Sequence, residues 1–143
     1  MNKVWQDKVI ETQTPKGRHE GLVFISAPSK GIVDGPMHLF PFHSLREAFL
    51  HVMADLHAEN PRAVFISPSL VNYTILPFMP KGTSHDYAAW REQCVLVLQP
   101  CTKIIVLPFE GWRESVGVND EVHTAMSLHK PIELDIDRPQ YHL

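Results

Sequence analysis

Cysteine is scarce in this chain: Cys94 and Cys101 are the only two. They fall on one face of an expected helix, two turns apart. That spacing holds their α-carbons farther apart than the ~7 Å a disulfide tolerates. The expectation is two reduced, buried thiols in a cytoplasmic protein. Long apolar runs are also missing, so no segment reads as a membrane span. The N-terminal stretch MNKVWQDKVIETQ has no apolar core of the kind a signal peptide needs. Basic residues are outnumbered, with Lys and Arg totalling 13 against 16 Asp and Glu, and they form no stripe. A nucleic-acid polymer is therefore not an expected partner. A single nucleotide stays open, because a helix N-terminus and a few hydroxyls suffice to hold one phosphate. Neither glycine-rich phosphate motif occurs, and no cofactor is expected. The nine histidines include no pair at the i, i+4 spacing of a helical zinc site, and no cysteine cluster supports them, so no metal is expected. No G-x-S-x-G elbow follows a strand, which removes the serine-hydrolase reading.

What is present is a regular alternation. The chain of 143 residues suits one domain with a real core. Residues 1–20 read as a peripheral extension, in which Val4, Trp5, Val9 and Ile10 suit either an edge strand or a short helix. Residues 21–143 read as the α/β domain itself. Leu22–Ile25 is a strand by composition and runs into the small-residue loop Ser26-Ala27-Pro28-Ser29-Lys30-Gly31. Ser44 and Glu47 form a capping box before an amphipathic helix through Leu56, ended by Asn60-Pro61. Ala63–Ile66 is a second strand. Residues 67–84 read as a long connection, rich in apolar side chains and suited to a lid, a binding loop or a subunit contact. A helix opening at Thr83 or Ser84 carries Tyr87, Trp90, Cys94 and Val97 on one stripe. Ile104–Leu107 is a third strand, Pro131–Ile136 a last short one, and the tail DRPQYHL reads as loose. Near-continuous apolar strands alternating with helices predict a parallel sheet of four to five strands covered on both faces. With right-handed crossovers this is a flavodoxin-like or Rossmann-like three-layer fold. Its switch point falls between the first strand and the Ile104 strand, so the Ser26 loop and the Trp112–Gly117 loop meet at one cleft.

The stretch 103–131 carries the most chemistry. After its strand, Pro108 and Gly111 break regular structure, and from Val118 a helical period begins. Glu121 lies one turn inside that helix, beside its apolar stripe, at the carboxyl end of the strands where open α/β sheets bind ligands. A carboxylate held there can stabilise or capture a sugar cation formed when a glycosidic bond breaks. The plainer reading is a carboxylate serving the helix dipole. Ser115 suits an N-cap and equally a phosphate contact. Trp112 suits either ligand stacking or packing.

The run Gly111-Trp112-Arg113-Glu114-Ser115-Val116-Gly117-Val118-Asn119-Asp120-Glu121, with Ala125 and Lys130-Pro131 downstream, resembles the G-W-x-x-S-x-G-x-x-x-E pattern of the nucleoside 2-deoxyribosyltransferase-like superfamily. That superfamily includes the nucleoside 5′-monophosphate N-glycosidases. The opening strand and its Ser26-Ala27-Pro28 loop are similar to the superfamily's first strand and loop. The resemblance implies that Glu121 is the nucleophile on the anomeric carbon. It implies that an upstream aspartate, for which Asp86 is the candidate, assists departure of the base. The substrate site would be bordered by Ser26, Ala27 and Pro28 and by Gly111, Trp112, Ser115, Gly117 and Asn119, with Ser115 at the 5′-oxygen or 5′-phosphate. The chain departs from the pattern at Phe24, where active members usually carry tyrosine, and at Thr102, often aspartate in relatives. The implied partner is a nucleoside or nucleotide, and the implied assembly a homo-oligomer. The alternative is a nucleotide-binding or oligomeric interaction module on the same fold that has lost its chemistry.

Overall fold

The computed structural model describes residues 4–12, 19–28, 40–75, 78–82, 87–136 and 138–142. In chain order the elements are α1 (Val4–Thr12), β1 (Gly21–Ser26), α2 (Phe40–Glu59), β2 (Ala63–Ile66), α3 (Pro68–Ile75), α4 (Tyr87–Leu98), β3 (Lys103–Val106), α5 (Val116–Ser127) and β4 (Ile132–Leu134). A 3₁₀ turn, Pro139–His142, follows. The four strands form one sheet in the order β2-β1-β3-β4, and all three pairings are parallel. This is the expected α/β arrangement of the flavodoxin-like or Rossmann-like type. The chain moves one way from β1 to β2 and the other way to β3 and β4, so the switch point lies between β1 and β3.

Strand alternation sorts the core into two layers. Val23 and Ile25 of β1 and Ile105 of β3 face α2 with Phe49, Val52 and Leu56. Phe24 of β1 and Ile104 and Val106 of β3 face the other way, among Cys94 and Leu98 of α4 and Val118, Val122 and Ala125 of α5. Ser26, two residues beyond Phe24, shares that second face by the same period.

Several segments differ from expectation. Helix α2 begins at Phe40, so Ser44 lies inside it rather than capping it. Pro41 explains the earlier start, because a proline's fixed φ suits the first turn, where its missing N–H costs nothing. Asn60 ends the helix by donating from Nδ2 to the Leu56 carbonyl at 2.8 Å. The stretch expected as a long connection contains α3, with the Ser67 hydroxyl accepting from Leu70 N at 3.3 Å and Pro68 in the first position. The expected N-cap at Thr83 or Ser84 and the segment Ser29–Gly31 lie outside the described residues.

The first and last described segments are both packed against the core. Trp5 and Val9 of α1, expected as a peripheral extension, are buried in the α4–α5 layer. The C-terminal tail, expected as loose, is tied down by Arg138, which is 4% exposed. Its guanidinium makes a two-pronged bond to Glu59 at 2.8 Å on each side and a third to Asp135 at 2.5 Å. Tyr141 donates its hydroxyl to the same Asp135. Burial first, then the Asp135 charge, pushes the Tyr141 phenol far above its ordinary value, so it stays protonated as a donor. A planar guanidinium between carboxylates on α2 and after β4 fixes the tail where composition alone suggests water.

Candidate active site

Glu121 is the sixth residue of α5 and is 8% exposed. Val118, Val122 and Ala125 turn that helix face toward β1 and β3, and Glu121 goes in with them. Among the described residues, two other elements bring donors to its carboxyl group. Ser26, the last residue of β1, donates from Oγ to Oε1 at 2.8 Å. Cys94 on α4 donates from Sγ to Oε2 at 3.2 Å. Glu121 therefore sits at the carboxyl end of β1, at the switch point.

Burial raises the Glu121 pKa from 4.5 to about 7, the two hydrogen bonds pull it back, and the neighbouring Asp120 charge adds a smaller rise. Both protonation states are thus accessible near neutrality, as an acid or a nucleophile requires. The Cys94 thiol moves well upward through burial, then through the Glu121 charge and the hydrogen bond to it. It remains a thiol, a donor and not a nucleophile.

The second loop reaches this region from β3. Leu107 N donates to the Ser26 carbonyl at 2.8 Å, which keeps the ends of β1 and β3 together. Gly111 has φ +88°, a conformation that favours glycine, and turns the chain toward α5. Ser115 is the N-cap, its hydroxyl accepting from Val118 N at 3.2 Å. Gly117 lies one turn before Glu121 on the same helix face. Among the described residues, a β-carbon there would meet only the Ser115 hydroxyl, at 3.9 Å. Gly117 thus adds no side chain of its own to the first turn of α5, beside the Ser115 hydroxyl.

Other expected site residues do different work. Asn119 is two positions from Glu121, which turns its side chain to another face. Its Oδ1 accepts from the Trp5 indole at 2.9 Å, and its Nδ2 donates to the Arg113 and Ser115 carbonyls. Its amide is used in seating α1 on α5. Trp112 is buried beside Trp5, with ring centroids 6.1 Å apart, and the Arg113 guanidinium lies 4.5 Å from its ring centre. Of its two expected roles, packing accounts for these contacts. Ala27 and Pro28 are buried behind Ser26. Asp86 lies outside the described residues. Phe24 is fully buried on the Glu121 side of the sheet. Thr102 donates to the carbonyls of Glu20 and Leu22 and helps hold the start of β1. Among the described residues, no group of three or more His, Cys, Asp or Glu is placed to hold a metal ion. No described helix is long and apolar enough to cross a membrane.

Cys94 is the residue that sequence reasoning missed. It lies on an apolar stripe and reads as core, and nothing local couples it to a carboxylate 27 residues away. The model of a family described as Domain of unknown function (DUF1937) matches residues 52–135, more than half of the chain. The chain belongs to that family. No curated protein and no solved structure matches it. The DUF1937 match contains Cys94, the Gly111–Glu121 run and all of α5, whereas Ser26 precedes it. Two of the three side chains of the buried cluster therefore lie within the family's matched segment.

Proposed function

We propose that this protein cleaves or transfers the N-glycosidic bond of a nucleoside or nucleoside 5′-monophosphate, with Glu121 as nucleophile. The observation that carries the reading is a buried carboxyl group at the switch point, with a pKa of about 7 and a hydroxyl and a thiol on its two oxygens. The similarity of the Gly111–Glu121 run to the nucleoside 2-deoxyribosyltransferase-like pattern supplies the substrate class. In the reaction an ionised Glu121 oxygen bonds to the anomeric carbon as the C–N bond breaks. The bonding pair leaves with the base, which takes a proton from an acid, the role proposed for Asp86. Water or a second base then attacks the same carbon and frees the carboxylate. The N-terminus of α5, with its Ser115 cap and the small residue Gly117, suits a sugar 5′-oxygen or 5′-phosphate. Two free thiols suit a cytoplasmic setting.

The test is incubation with a panel of nucleosides and monophosphates, with free base measured by chromatography. Base release that is abolished in Glu121→Ala is expected. Its pH profile should show kcat/KM rising through an apparent pKa of about 7, because the nucleophile must be ionised. Release from no substrate, or equal activity in the variant, removes the reading.

A second reading is a nucleotide-binding module without turnover. Phe24, which offers no hydroxyl, and a carboxyl group whose two oxygens are both taken by protein donors favour it. It predicts a rise in melting temperature with a nucleotide and no base release. Self-association is also proposed, through the uncharged α3 face, where Val71 and Ile75 are exposed and Phe78 beyond it is 84% exposed. A monomer by light scattering removes that part.

A further inference from the structure

We infer that Cys94 is a positioning residue for Glu121: its thiol is a hydrogen-bond donor that fixes the second carboxyl oxygen and stabilises the ionised form. The geometry is specific. Ser26 accounts for Oε1 from the sheet, and Cys94 accounts for Oε2 from α4, at an S···O distance of 3.2 Å. With both oxygens bonded, rotation of the carboxyl group about its terminal torsion is restricted from two sides. A buried cysteine is ordinarily inert packing, with its thiol facing apolar neighbours or a main-chain carbonyl. Cys101 is of that kind, donating to the Val97 carbonyl at 3.2 Å. Cys94 instead faces a group that changes charge.

The surroundings leave few other groups to fill this role. On this side of the sheet β1 offers Phe24 and Ser26, β3 offers Ile104 and Val106, and β4 offers Leu134. Helix α1 contributes Trp5 and Val9, and on α5 Asp120 is the adjacent charge. Among the described residues, Ser26 and, on α4, Cys94 are the donors to the carboxyl group. A thiol is the weaker donor of the two. Oε2 therefore keeps more of the negative charge than Oε1.

The glycosidic reading enters only the activity arm of the test. The first arm follows the Glu121 carboxyl by carbon NMR, in protein labelled at its glutamate carboxyls, across a pH titration of the wild type, Cys94→Ala and Cys94→Ser. Loss of the donor in Cys94→Ala is expected to raise the midpoint by up to about one pH unit. Cys94→Ser, which restores a donor, is expected to return it to the wild-type value or below. An unchanged midpoint in Cys94→Ala, or equal upward shifts in both variants, overturns the proposal. A structural role alone gives no rescue by serine.

Should Cys94→Ala fail to fold, the S–H stretching band of the wild type decides. The Cys94 band is expected to shift near pH 7 as Glu121 ionises, while the Cys101 band, on a carbonyl that does not titrate, stays fixed. Two pH-invariant bands overturn the proposal. Where base release is observed, Cys94→Ala is expected to lower kcat more than it raises KM and to move the acid limb upward, with Cys94→Ser restoring both. Absence of base release in the wild type removes the glycosidic reading and leaves the NMR result standing.

Discussion

Replacing Glu121 with glutamine tests the buried carboxyl group independently of any activity. In the folded chain the pKa is about 7, against 4.5 for the ordinary side chain. Below pH 4 the group is protonated in both the folded and the unfolded chain and adds no pH dependence. As pH rises from 4 to 7 the unfolded chain releases the proton while the folded chain keeps it, so stability falls. Above pH 8 both forms are ionised and the loss is complete. A displacement of 7 − 4.5 = 2.5 units corresponds to about 3 kcal/mol, most of it lost between pH 5 and pH 8. Glutamine has nearly the same shape and does not titrate. The Ser26 hydroxyl and the Cys94 thiol can each turn to suit an amide. Urea unfolding of both proteins at pH 5 and pH 8 measures the difference, with the other titrating groups cancelling between them. The expected result is that Glu121→Gln gains about 2 kcal/mol relative to wild type on going from pH 5 to pH 8. An equal stability difference at both pH values would refute a raised carboxyl pKa, and with it the poised nucleophile.

Trp5→Ala is expected to cost about 3–5 kcal/mol in urea unfolding, since it removes a buried indole and leaves Asn119 Oδ1 without its main donor; a cost under about 1 kcal/mol would mean that α1 is not seated on α5. Arg138→Met is expected to destabilise by about 3 kcal/mol or more, because Asp135 stays buried without its cation. Loss of the C-terminal 3₁₀ turn in that variant should appear as rapid amide exchange around Tyr141. His19 is buried, and its Nδ1 lies 3.0 Å from the Lys103 ammonium, so burial first and then that charge lower its pKa below 6.5. Its contribution to stability is present above pH 6.5 and is lost as pH falls toward the folded value. His19→Gln is expected to flatten that acid limb, and proton NMR of the imidazole to show a midpoint below 6.5; a midpoint at or above 6.5 would contradict the arrangement.

Much of the fold was legible because its signals are local. β-branched runs such as Ile104-Ile105-Val106 mark strands buried on both faces, and their alternation with helical periods implies parallel pairing. The helix over Val116–Ser127 and its serine cap were written into residues 115–122. The start of α2 and the existence of α3 were misread for an equally local reason. The Ser44–Glu47 pattern competes with the true start at Phe40, and the helix after Ser67 opens on Pro68 within a stretch whose apolar content suits a connection equally well. Glu121 was legible as a candidate from its place on the helix, and Ser26 from its place at the end of a strand.

Their meeting was not legible in the same sense. Strand period and helix period fix which way each side chain points, but the 2.8 Å contact across 95 residues depends on how β1 packs against α5. The same holds for Cys94, for the Trp5 indole on Asn119 and for Arg138 on Glu59, each a pairing between segments with no local code for one another. The sequence by itself determined the four strands, the order of the main elements and the type of sheet, because steric preference and hydrophobic period act over a few residues. Only the tertiary structure decided which polar side chains are buried together, because the free energy of burying a carboxyl group depends on donors that distant parts of the chain bring to it.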